Sequence, residues 1–145
     1  MLNKRIALRL STIVLIIAAV IDFFRGIAHT FRVRYAAEEI AGIEPNADSL
    51  VLMGAFGISN FLTSFIYLLV IWKARQLVPY LLLLIPVSYF VGAVGMKYQN
   101  VVMESAFQGQ YMLAIYLPVC FFAGLFYFIV DGIQKKRSKV AMHEL

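Results

Sequence analysis

The stretch LVLMGAFGISNFLTSFIYLLVI, residues 50–71, runs for 22 positions without a charged side chain. A helix rising 1.5 Å per residue needs about 20 such positions to cross the hydrocarbon core of a bilayer. Two more runs of 20 share this character, LVPYLLLLIPVSYFVGAVGM at 77–96 and YMLAIYLPVCFFAGLFYFIV at 111–130. Each reads as a membrane-spanning helix.

Working outward, the N-terminal span is less regular. Residues 10–21 are apolar apart from Ser11 and Thr12, but too few to cross alone. Lys4 and Arg5 before this core resemble the basic start of a signal peptide, yet no small-x-small cleavage site precedes Asp22 and Arg25. The better reading is a helix over about 6–29, with Arg9 reaching back to the headgroups. The expectation is therefore an all-α protein: one bundle of four transmembrane helices, about 6–29, 50–72, 77–96 and 111–131.

Composition agrees. The chain has 145 residues, of which 62% are hydrophobic and 14% charged, and its mean hydropathy is +0.82. Soluble domains carry roughly 25% charged residues; a chain this apolar needs lipid as its solvent. The formal charge of +5 does not point to nucleic acid, because the basic residues sit at helix ends and in the tail. They set orientation instead. Nine Lys and Arg fall on the side of the two termini and the 73–76 turn, and four (Arg25, Arg32, Arg34 and Lys97) on the other. The positive-inside rule then puts both termini in the cytoplasm, with the plasma (inner) membrane as the expected location.

The outer connection 30–49 contains a candidate short interfacial helix near 33–40, ending at Gly42. Pro45 breaks it, and Asn46 or Asp48 is placed to cap the next helix. The second outer connection, 97–110, is polar with an apolar Val101-Val102-Met103 piece suited to packing back on the bundle. The short 73–76 turn makes helices two and three an antiparallel hairpin. Trp72, Tyr80, Tyr98 and Tyr111 fall near the expected interfaces, and Pro86 and Pro118 deep within helices.

Helix one carries Asp22, Arg25 and His29 at i, i+3 and i+7, within about 60° of one another around the axis. Ser11 and Ala18 extend this face. It must turn into the bundle, because a charge facing lipid costs about 2.5–3.5 kcal/mol or more. Two readings stand side by side. In the first, Asp22 and Arg25 form an ion pair, Arg25 reaches the outer headgroups and His29 is solvated in the loop. In the second, the trio lines the mouth of an outward-opening pocket. There Arg25 would hold an anionic headgroup, and His29 or Asp22 would move a proton.

Helix two adds Asn60, with Phe56, Ser64 and Tyr67 on one side and Gly57 beside them. An amide at this depth needs a partner, either a neighbouring helix or a bound polar atom. Ser88, Gly92 and Gly95 on helix three have a spacing that suits close helix packing. Lys97 and Glu104 lie at the outer level and could join the Asp22, Arg25, His29 and Asn60 group.

Other chemistries find no support. No His-x-x-x-His or Glu-x-x-His pair suggests a metal, and no Ser-His-Asp set or Gly-rich phosphate loop is present. The single cysteine, Cys120, allows no internal disulfide. No catalytic residue is assigned.

The layout resembles the DoxX-like group of small four-helix membrane proteins. The resemblance rests on a long outer loop after helix one, the Gly-rich start of helix two (53–60, MGAFGISN) and a Gly-x-x-Gly-x-basic end to helix three (92–97, GAVGMK). The group usually has arginine where Lys97 stands. It implies a four-helix bundle, and for some members an association with quinone-linked oxidoreductases. Three functional expectations follow. The first is a non-enzymatic accessory or interaction subunit of a membrane complex, in contact with other subunits or with itself. The second is a binder of a lipid-like molecule such as a quinone or isoprenoid. The third is an oligomeric transporter or channel.

Overall fold

In the computed structural model, residues 3–101 and 109–143 are described, with side chains up to residue 139. Four long helices form the molecule: α1 (Lys4–Phe31), α2 (Ala47–Lys73), α3 (Val78–Tyr98) and α4 (Gly109–His143). All four are long and apolar enough to cross a membrane, and the described residues contain no strand. This is an all-α integral membrane protein.

The boundaries follow local chemistry. Asn3 starts α1 by accepting a hydrogen bond from the Arg5 N–H at 3.0 Å. Asn46 starts α2 by accepting from the Ser49 N–H at 2.9 Å, so it is the cap that the sequence left open between Asn46 and Asp48. Between α1 and α2, Val33–Tyr35 makes one helical turn and Ala36–Ala41 a wider π-helical one. Gly42 closes it at φ 65°, a left-handed conformation suited to glycine. The short helix expected before Gly42 is thus present, with Ala36, Ala37 and Ala41 buried.

Helix α4 runs well beyond residue 131. The tail holds only one glycine, Gly132, between 131 and 143 and no proline, so nothing stops the helix once the apolar span has nucleated it. Asp131 anchors this extension by pairing with Lys135 at 2.8 Å and with Lys4 at 2.6 Å. The second bridge ties the two ends of the chain together. We call this the terminal end of the bundle and the opposite one the distal end.

Helix α1 is the hub. It packs most extensively on α2 and also on α4 and α3, while α3 packs mainly on α4. Its buried face runs through Ala7, Ser11, Leu15, Ala18, Asp22 and His29, a three–four spacing that keeps one side against its neighbours. Leu15, Tyr67, Leu82, Ile85, Tyr116 and Cys120 belong to the central core. Polar groups stitch the helices: Ser64 Oγ donates to the Ala19 carbonyl at 2.8 Å, and Ser11 Oγ to the Ala123 carbonyl at 3.0 Å. At the terminal end Arg75 Nε donates to Thr12 Oγ1 at 3.1 Å.

Close helix contact occurs where the sequence did not place it. A Cβ on Gly92 or Gly95 would meet nothing within 4 Å, so these glycines form no tight seam among the described residues. The close approaches are at Gly26, Gly57 and Gly124. A Cβ at Gly57 would meet the α1 backbone at His29 and Thr30 at 2.9 Å, and one at Gly26 would meet the Phe61 ring at 2.8 Å. Spacing alone could not separate glycines facing lipid from glycines facing a helix.

Candidate functional site

The α1 face predicted to turn inward does so. Asp22 and His29 are 4% and 5% exposed, values that exclude a solvated loop histidine and demand partners for the carboxylate. Arg25 supplies one: its Nη1 donates to Asp22 Oδ1 at 3.3 Å. Its side chain turns back along α1, largely buried, with its guanidinium 5.2 Å from the Phe56 ring centre. One turn on, His29 Nδ1 lies 2.6 Å from the Arg25 carbonyl oxygen. That oxygen can only accept, so Nδ1 carries the hydrogen. The imidazole also meets Phe56 edge-on at 5.2 Å. Phe56 therefore covers both Arg25 and His29.

Beneath this group lies a cleft of about 400 Å³ lined from all four helices. Asp22 enters from α1, Asn60 and Tyr67 from α2, Ile85 and Tyr89 from α3, and Tyr116 from α4. Asp22, Asn60, Tyr67, Ile85 and Tyr116 are buried and form its floor. Tyr116 brings its side chain against both Asp22 and Tyr67. Phe56, Ser59, Leu84 and Ser88 are exposed and form its rim. The rim lies on the flanks of α2 and α3, which scarcely touch although a short turn joins them. The cleft thus opens sideways, between two helices.

Asn60 is the unusual member. It is 6% exposed, and its Nδ2 has no hydrogen-bond partner among the described residues. Buried amides in hydrocarbon are costly when unpaired. Here the unpaired group borders the cleft. Ser64, one turn away, is satisfied by α1, so the fold pairs one neighbour and leaves the other.

The predicted site residues divide into three groups. Asp22 and Asn60 meet at the cleft. Arg25 and His29 stack above Asp22 but line a separate, mostly apolar cavity of about 450 Å³ with Phe24, Ile40 and Met112. Lys97 sits on the distal half of α3, where 91–100 are all exposed, and forms no ion pair among the described residues. Glu104 lies outside the described residues, as do Val102 and Met103 of the second connection. Tyr116 joins the site without having been singled out from the sequence. Its signal was available: a tyrosine in mid-span, away from either interface, on the same three–four stripe as the buried Cys120, Ala123 and Tyr127.

No group of three or more His, Cys, Asp or Glu suited to a metal occurs among the described residues. No family model matches the chain, and no curated protein or solved structure does. The site must be read from its own geometry.

Proposed function

We propose that this protein binds the polar head of a lipid-like molecule in the cleft between α2 and α3, with the ligand's apolar part left in the bilayer. The single observation that carries this reading is the unpaired Asn60 amide beside a cleft that opens sideways. A cleft of about 400 Å³ is within the usual range for small-molecule sites, but too small for a whole two-chain lipid. A floor of carboxylate, amide and phenol groups below a rim of Phe56, Leu84 and two serines suits an amphipathic guest that enters from the membrane. In this reading the termini face the cytoplasm, as the nine-to-four distribution of basic residues favours.

The test is native mass spectrometry of the protein released from membranes in mild detergent. The expected result is a retained lipid-like molecule whose recovery drops in Asn60→Leu and in Ser88→Phe, which fills the rim. Equal recovery in wild type and both variants would sink the proposal. A stoichiometric protein partner with no small molecule would favour the accessory-subunit reading instead.

A further inference from the structure

We infer that the cleft selects an uncharged head that accepts a hydrogen bond from Asn60, and excludes anionic and cationic heads. The inference rests on the lipid-binding reading above and names the class of ligand.

Charge placement carries the argument. Among the described residues, those lining the cleft include one carboxylic acid, Asp22, and no Lys, Arg or His. The nearby cation is Arg25, and it is already committed. Its Nη1 is 3.3 Å from Asp22 Oδ1, its side chain is 13% exposed, and its guanidinium lies against Phe56. It borders the other cavity, not this one. The Asp22–Arg25 pair carries no net charge, so an anionic head on the floor would give up its hydration with no uncommitted lining cation to offset it. A cationic head would likewise be desolvated beside a carboxylate whose charge Arg25 already balances. An uncharged head meets neither penalty.

Hydrogen bonding then chooses among uncharged heads. The free Asn60 amide offers Nδ2 as a donor, and Ser59, Thr63 and Ser88 offer hydroxyls around it. Thr63 Oγ1 already donates to the Ser59 carbonyl at 2.8 Å, so its oxygen remains free to accept. A head carrying a carbonyl or hydroxyl oxygen satisfies Asn60; a purely hydrocarbon guest leaves it unpaired. Of the two sequence readings of Arg25, the ion pair with Asp22 is the one formed, so its guanidinium is not free to hold an anion.

Three lipids with identical dioleoyl chains separate the possibilities. The full-length protein in detergent would be offered equimolar dioleoylglycerol, dioleoyl phosphatidic acid and dioleoyl trimethylammonium propane, and retention read by native mass spectrometry. Dioleoylglycerol should be retained over each charged lipid by on the order of tenfold. Asn60→Leu should lower its retention by about fivefold, the worth of one buried hydrogen bond. Preference for either charged lipid, or equal retention of all three, overturns the selectivity while leaving the binding reading in place. Retention of none overturns the binding reading itself. The wild-type ratios need no variant, so a poorly folding substitution cannot rescue the idea.

Discussion

Helices α1 and α2 are joined by a long irregular connection, yet they pack together along most of their length. Helices α2 and α3 are joined by one tight turn, yet they part to leave a cleft. The difference lies in which residues each pair presents to the other. At the first interface Gly57 lets the α1 backbone approach, Gly26 receives the Phe61 ring, and Ser64 donates across to Ala19. At the second, Ser59, Asn60 and Thr63 face Leu84, Ile85 and Ser88 over open space. Lipid tails are as apolar as leucine, so helices gain little from hydrophobic contact alone; steric fit and hydrogen bonds decide which surfaces close. Chain connectivity brings α3 near, but only small residues and matched polar groups could have sealed the seam.

The largest disruption is expected where the closed interface meets the cleft. Asp22→Ala would leave Arg25 buried without its counter-charge, an effect of about 3–5 kcal/mol in comparable buried pairs. Denaturant titration in micelles would register it as a loss of that order; a loss under about 1 kcal/mol would mean that Arg25 finds another partner. Next comes Gly57→Val, which drives a side chain into the His29–Thr30 backbone and should cost about 1–3 kcal/mol, or more. If its unfolding midpoint matches wild type, the close approach of α1 and α2 is not what holds the pair. Ser64→Ala removes one interhelical hydrogen bond and should cost about 0.6–1.7 kcal/mol. Smallest of all is Gly92→Ala, where a methyl group meets open space. A change within about 0.5 kcal/mol is expected there, and a clear loss would show that the distal half of α3 is covered by something.

The spans are legible in the sequence because a charge-free apolar run of about 20 residues matches the thickness of a bilayer and leaves no polar face for water. The inward face of α1 is legible too, since Asp22, Arg25 and His29 have nowhere else to turn. Distance between helices is not. Gly57 and Gly92 look alike in a string of letters, but one touches a backbone and the other does not. Likewise, the Asp22–Arg25 pair follows from its spacing, but the direction of the Arg25 side chain does not. That depends on Phe56, from another helix, closing over it. Tyr116 stands out in the string as a mid-span tyrosine, but its partners do not: its role comes from meeting Asp22 and Tyr67 across the bundle.

Both partners of the Asp22–Arg25 bridge belong to α1 and lie one turn apart, so they can neutralise each other as soon as that turn is helical. This segment, made before the other three spans, need not wait for α2 or α4 to hide its charges. It can partition into the bilayer as an electrically balanced unit, and the later helices then assemble around a span that is already in place.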